Sequence, residues 1–369
     1  YFHEEFVVRR KWLDERAFAD LMALCQFLPG PASSQLGIGI GMSRAGLPGA
    51  FAAWTAFTMP SALLLILFGC GVLEFGDTVG SGALHGLKVV AVAVVAQAVW
   101  TMARVLCPDA QRVTLAVLTT IAVLAVPSPF AQVGMIVIGG LIGWAFLRDD
   151  TPRDHVDLGV RVKRGVAVAA LALFFAGLIG LPLLVLAYPS QTLAVIDSFY
   201  RSGSLVFGGG HVVLPLLQSE VVPTGWVSQD AFLAGYGAAQ AVPGPLFTFA
   251  AFLGTVMTVA PNGIVGGIIC LLAIFASSFL LVIGALPFWD ALRRITAVRN
   301  ALLGINAVVV GLLLAAFYDP VWTSAILSAA DFGLALAAFT LLVFWKIPAW
   351  LVVILTALGG WVLHTGLMF

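Results

Sequence analysis

The sequence predicts an all-α integral membrane protein made of two inverted-topology repeats of transmembrane helices, with broken or re-entrant helical hairpins. Three observations predict it: a composition too apolar for a soluble surface, a Pro-Gly-Pro break that occurs twice in register, and opposite charge in the matching loops of the two halves. Of 369 residues, 61% are hydrophobic and only 10% charged, with a mean hydropathy of +1.06. A soluble domain carries about 25% charged residues, so this chain belongs in a lipid bilayer. The 18 basic residues balance the 18 acidic ones. No basic block stands out, which argues against nucleic acid as a partner, because phosphate recognition needs clustered Lys and Arg. Cys25, Cys70, Cys107 and Cys270 are scattered through apolar sequence with no CxxC and no His at ligand spacing. They read as apolar fillers, and neither a metal nor another cofactor is implied.

A bilayer-crossing helix needs roughly 20 apolar residues. Stretches of that kind occupy 47–73, 82–106, 111–126, 130–147, 165–188, 263–288, 301–317, 322–344 and 348–364, with a tight turn at Pro127 and Pro129. The remaining apolar sequence is interrupted. Residues 17–28 and 31–43 are too short to cross alone and flank Pro29-Gly30-Pro31; 231–242 and 245–257 flank Pro243-Gly244-Pro245 in the same way. A third broken segment, 191–222, has Phe207-Gly208-Gly209-Gly210 at its centre. In lipid, a helix break frees backbone N–H and C=O groups that must be met by protein or by a wet cavity.

Superposing the breaks exposes an internal repeat. At an offset of 214, the distance from Pro29 to Pro243, residues Val7, Val8, Trp12, Ala17, Phe18, Gln26 and Gly49 meet the identical Val221, Val222, Trp226, Ala231, Phe232, Gln240 and Gly263. At 218, Leu84, Gly86, Val90 and Val92 meet Leu302, Gly304, Val308 and Val310, which sets Lys88 opposite Asn306. Residues 9–16 hold Arg9, Arg10, Lys11 and Arg16, whereas 223–230 hold no base; the loop at 74–81 has Glu74 and Asp77, whereas its counterpart has Arg293, Arg294 and Arg299. Basic loops stay cytoplasmic, so the two halves are expected to sit upside down relative to each other. The expected organisation is a first repeat at 1–147, a charged cytoplasmic loop at 148–164, a connector helix at 165–189 and a second repeat at 190–369. A partner for the 207 motif falls before residue 1, so a further hairpin arm is expected ahead of the first repeat.

Inverted repeats with broken helices are the architecture of secondary transporters, which bind substrate where half-helix ends converge. Pro31 and Pro245 read as helix starts. The N–H groups of Ala32, Ser33 and Ser34, and of Leu246, Phe247 and Thr248, are then free at the positive ends of two helix dipoles, which favours an oxyanion. Ser33, Ser34 and Thr248 add hydroxyls, and Gln26, Gln35 and Gln240 add amides. Gly208, Gly209 and Gly210 let backbone approach a ligand, with His211 directly behind. The candidate site therefore also takes in Pro29, Gly30, Pro243 and Gly244. Charges inside a membrane are costly and seldom idle. Lys88 either complements a dianion or snorkels to the surface; Arg201 either joins the site or pairs with Asp197, four residues earlier. His211 and Glu220 are the positions for proton coupling. Runs such as Gly139, Gly140 and Gly143 fit close helix contacts, and Trp100, Trp322, Trp350 and Trp361 fit lipid-facing or interfacial positions.

The strings FLPGPASSQLGIGIG at 27–41, FGGGHVVLPLL at 207–217 and GYGAAQAVPGPLFTFAAFLG at 235–254 resemble the chromate transporter family of prokaryotic membrane proteins. The resemblance implies the two-domain form, a multi-pass protein of the inner membrane that exports chromate from the cytoplasm, with sulfate, alike in shape and charge, as competitor. Proton antiport and a homodimer are compatible with it. Two alternatives stay open at this point: a permease for sulfate or other oxyanions, and an intramembrane enzyme acting on a phosphorylated lipid. The enzyme is disfavoured by the lack of HExxH, paired acids or a nucleophile with a His partner. A nucleotide-driven pump is disfavoured because no GxxxxGK[ST] loop occurs.

Overall fold

The computed structural model describes residues 2–75, 81–148 and 162–366. Asp77 and nearly all of the expected 148–164 loop lie outside the described residues. Every described element is helical. Helix α1 (Glu15–Phe27) starts where Asp14 Oδ1 accepts the Ala17 N–H at 2.7 Å, and ends at extended Leu28, as the residue before a proline prefers. Helix α2 (Ala32–Phe75) is two helices joined by a kink at Ala45 and Gly46, where Gly46 has φ +62°. Its first part is the half-helix expected from 31, and its second part is the span expected from 47.

Helix α3 (Ser81–Leu106) leads to α4 (Ala110–Ala125), capped by Asp109 through the Arg112 N–H at 2.9 Å. That backbone hydrogen bond, reinforced by the Arg112 guanidinium, holds the exposed Asp109 carboxyl below the usual carboxylate range. Helix α5 (Pro129–Phe146) begins with Ser128 as cap and proline in its first turn. Helix α6 (Arg164–Ala187) occupies the segment expected as a connector. The broken segments follow as α7 (Gln191–Ser204), α8 (Val213–Val221), α9 (Gln229–Ala239) and α10 (Phe249–Val256). Helices α11 (Gly263–Ala285), α12 (Trp289–Leu292), α13 (Thr296–Ala316), α14 (Thr323–Ala325), α15 (Ala329–Val343) and α16 (Ala349–Gly366) complete the chain. Six of the described helices are long and apolar enough to cross a membrane; 110–125, 329–343 and 349–363 are apolar but shorter. The chain is an all-α integral membrane protein.

One expected span is corrected. Residues 322–344 do not form one helix: a π-turn over Phe317–Trp322 and the short α14 precede an interruption, and α15 begins only at Ala329. Pro320 removes a backbone donor. Ser328 then restarts the helix, its Oγ accepting the Asp331 N–H at 3.2 Å while Asp331 accepts the Leu327 N–H at 3.1 Å and His85 at 2.8 Å.

Small residues let the long helices touch backbone to backbone. A Cβ on Gly304 of α13 would collide with the Gly139 carbonyl of α5, and one on Gly143 with the Asn300 carbonyl. On the other side, a Cβ on Gly86 of α3 would collide with the Thr356 carbonyl of α16. Thus α3, from the first half of the chain, packs on α16 from the second, while α13 packs on α5. The cysteines are free; Cys25, Cys107 and Cys270 are buried and Cys70 half-buried. Trp100, Trp350 and Trp361 are exposed, whereas Trp322 is half-buried against Phe317 and Phe332.

Replacing Gly304 by Ala is expected to cost on the order of 1–3 kcal/mol by overpacking, seen as a lower thermal midpoint in detergent. Gly134→Ala and Gly333→Ala, where a Cβ meets no atom within 4 Å, should leave the midpoint unchanged or slightly raised.

Candidate functional site

The three interruptions meet. The Gly30 N–H, in the first break, donates to the Val206 carbonyl at 2.7 Å, just before the glycine run of the third. A Cβ on Gly210 would lie 3.7 Å from Leu246 Cβ, which joins the third break to the second. Between them lies a cavity of about 300 Å³, lined by Pro31, Ala32, Ser33, Gly210, His211, Gln240, Gly244, Pro245, Leu246 and Phe247.

Local chemistry explains why the backbone can break here. Gln35 is buried and its Nε2 donates to the Pro29 carbonyl at 2.7 Å, so a side chain one turn into α2 stitches the preceding break. Pro31 is the cap rather than the first helical residue, since its carbonyl accepts the Gln35 N–H at 2.9 Å. Pro245 holds the same position before a 3-10 turn at Leu246–Thr248 that feeds α10. Gly30 has φ +124° and Gly244 φ +154°, conformations that side-chain-bearing residues avoid. Each also packs on a serine from the other half: a Cβ on Gly30 would sit 2.8 Å from Ser278 Oγ of α11, and one on Gly244 would collide with Ser61 Oγ of α2.

The residues that line the cavity bring hydrogen-bond donors together with the acceptor oxygens of Ser33 and Gln240. Opening turns leave N–H groups without intrahelical partners, here those of Ala32 and Ser33 on one side and Leu246 and Phe247 on the other. Ser33 is exposed and adds a hydroxyl, and Gln240 adds an amide whose Nε2 is buried without a hydrogen-bond partner. His211 Nδ1 is 2.8 Å from the hydroxyl of Tyr236 on α9. Two helix N-termini carry roughly half a positive charge each.

Several residues expected at the site lie elsewhere. Thr248 does not offer its N–H, because both N–H and Oγ donate to the Pro245 carbonyl, at 3.0 and 2.8 Å. Ser34 and Gln35 are buried and Thr248 with them, and Pro29, Gly30 and Pro243 also stand outside the lining. Gly208 and Gly209 face Met102, and Gly208 also Leu106 and Asn306, leaving Gly210 as the member of the run that reaches the cavity. Lys88 neither lines the cavity nor snorkels unpaired: its Nζ donates to Asp230, in the first turn of α9, at 2.9 Å. Arg201 is an internal ion pair, as its spacing from Asp197 allowed, and it pairs with Glu220 as well, both at 2.9 Å. Ser198 donates to Glu220 at 2.8 Å. Sequence reasoning missed Tyr236, Asp230, Ser61 and Ser278. Only Tyr236 carried a signal, a phenol seven residues before Pro243 in an otherwise apolar half-helix.

Apolar helices packed around interrupted segments that share a polar cavity define a multi-pass α-helical membrane protein. The family model described as Chromate transporter matches residues 1–144 and 193–361, and the chain belongs to the chromate transporter family, a family of transporters and not of enzymes. It is 26% identical over 373 residues to the chromate transport protein of Pseudomonas aeruginosa, covering 97% of this chain and 85% of that protein. It is 24% identical over 315 residues to the chromate transport protein of Cupriavidus metallidurans, covering 84% and 74%. An uncharacterized transporter of Methanocaldococcus jannaschii is 25% identical over 319 residues, 85% of this chain and 77% of the relative. No solved structure matches the chain. Family membership supports a role in moving chromate across a membrane.

Lys88→Gln is expected to leave chromate affinity within about twofold, since the Lys88–Asp230 pair stands outside the cavity lining and its acid is 75% exposed, where such pairs contribute about 0–1 kcal/mol. Chromate binding to the purified variant checks this; a tenfold loss would return Lys88 to the site.

Proposed function

We propose that this protein is a secondary active transporter of the prokaryotic inner membrane that exports chromate from the cytoplasm, holding the dianion in the cavity between the two Pro-Gly-Pro breaks. The observation that carries the reading is that both helix starts, together with Gly210 and His211, line one cavity. The anion would be held by the N–H groups of Ala32, Ser33, Leu246 and Phe247, the Ser33 hydroxyl and the Gln240 amide. The relatives named for chromate transport support the substrate.

In this reading the two halves, 1–147 and 190–369, are inverted repeats joined by a cytoplasmic loop and the connector helix. The crossed contacts support it: Gly30 against Ser278 and Gly244 against Ser61, Gly86 against α16 and Gly304 against α5. Export is driven by the membrane potential or by proton exchange. On the second branch Glu220 is the proton carrier, because Glu220 and Asp197 share the single guanidinium of Arg201 and one carboxylate charge in that cluster is unmatched. Sulfate has the shape and charge of chromate, and permeation of sulfate with chromate as passenger is the second reading.

Purified protein in liposomes, given radiolabelled chromate with and without excess sulfate and an imposed pH gradient, tests these together. Chromate should enter unchanged and be held off only partly by sulfate; equal uptake of the two anions favours the permease. An uptake rate that follows the pH gradient, and no longer does so in Glu220→Gln, assigns proton exchange. Pro31→Ala and Gly244→Ala should each slow transport by about tenfold or more, given strain of roughly 1–3 kcal/mol at such positions. Pro31→Ala adds no bulk and carries the test where Gly244→Ala does not fold; wild-type kinetics in a folded Pro31→Ala defeat the site.

A further inference from the structure

A second cavity, of about 470 Å³, lies away from the proline breaks, between the π-helical turn Glu4–Arg9 and the two parts of α2. A ladder of rings runs along it. Phe57, Phe2, Phe6 and Trp12 follow one another with centroids 5.4, 5.9 and 5.2 Å apart. Helix α2 brings mostly small residues, Gly37 and Gly41 from its first part and Gly49, Ala53 and Ala56 from its second, so the space beside the rings stays unfilled. From the kink at Gly46 to Phe57 the helix rises about 16 Å, close to the roughly 15 Å of hydrocarbon in one bilayer leaflet. Leu47 and Phe51 are exposed on the same stretch of α2, so lipid is the solvent at that flank.

The Trp12 end of the ladder is cationic. The guanidinium carbons of Arg10 and Arg44 stand 5.1 and 5.2 Å from the centre of the Trp12 ring, and both arginines are exposed. Glu5 is the acid among the described residues that line the cavity, and Arg9 and Arg10 already share it. Arg44 meets no carboxylate among the described residues and has the indole face as its charge partner. Positive charge is therefore in surplus where an apolar cavity meets the surface.

We propose that this cavity holds one anionic phospholipid, with its phosphate between Arg10 and Arg44 and an acyl chain along the rings. The occupant follows from complementarity at both ends. Guanidinium groups pair with phosphate oxygens, a basic pocket beside membrane helices is a headgroup site, and an indole at the interface sits at headgroup level. The ring ladder and the small residues of α2 offer an apolar bed for a chain, which a free phosphate would not fill. A bound lipid also lies against Ala45, at the kink, and braces the half-helix whose opening residues Ala32 and Ser33 line the cavity between the breaks.

The test is native mass spectrometry of the purified protein, titrated in detergent with phosphatidylglycerol or with phosphatidylcholine of the same chains. One phosphatidylglycerol should be retained at a concentration about tenfold or more below phosphatidylcholine, because an arginine near a lipid phosphate contributes about fivefold. Arg44→Gln, at an exposed position, should narrow that preference about fivefold. Arg104→Gln is the control, an exposed arginine 6.0 Å over Trp100 and outside this cavity, and should leave the preference unchanged. A preference that Arg44→Gln leaves intact, or that Arg104→Gln narrows equally, overturns the proposal. Ala53→Leu puts a side chain into the cavity and should release both lipids; a folded variant that keeps them overturns the acyl-chain seat, and where it does not fold Arg44→Gln decides. A map of the protein in phosphatidylglycerol nanodiscs identifies the occupant. Chain-like density separate from the polypeptide along Phe2, Phe6 and Phe57 is expected, whereas an empty groove, or polypeptide in it from this chain or from a second copy, contradicts the assignment.

Discussion

A backbone buried away from water must find a partner for every N–H and C=O, and that constraint organises this molecule around its three interruptions. The breaks satisfy one another and themselves: Gly30 donates to Val206, Gln35 to Pro29, and Thr248 to Pro245. What remains is a set of N–H groups at two helix starts, facing a shared cavity. The feature that makes the breaks tolerable in lipid is thus the one that leaves donors converging on a single place.

Formal charge is kept out of this arrangement. Lys88 is paired with Asp230, and Arg201 with Asp197 and Glu220, and among the described residues no lysine or arginine lines the cavity. In the proposed site, attraction for a dianion comes from dipoles and hydrogen bonds. In the proposed reading, binding of that kind leaves the guest free to be released, which a carrier requires as much as capture.

The broken segments were legible in sequence because Pro and Gly punctuate the chain at positions that repeat. Gly30, Pro31, Gly244 and Pro245 lie where a half-helix was expected to end or begin, and Gly139 and Gly143 touch α13 as small-residue spacing implied. Partnerships across the fold were not legible. Lys88 and Asp230 are 142 positions apart, and nothing in either segment marks the other. Gln35 looked like a ligand amide because its polarity was visible and the Pro29 carbonyl it serves was not. The 322–344 span failed for a local reason: its hydropathy is continuous, while Pro320 and the Ser328–Asp331 cap divide it.

Locating a bound oxyanion examines the central assignment most directly. Crystals of the protein grown with selenate, whose selenium scatters anomalously, should show a peak in the cavity within about 3.5 Å of the Ala32 and Leu246 backbone nitrogens once the oxygens are placed around it. A peak beside Lys88 or Arg201, with the cavity between the proline corners holding only water, would contradict it.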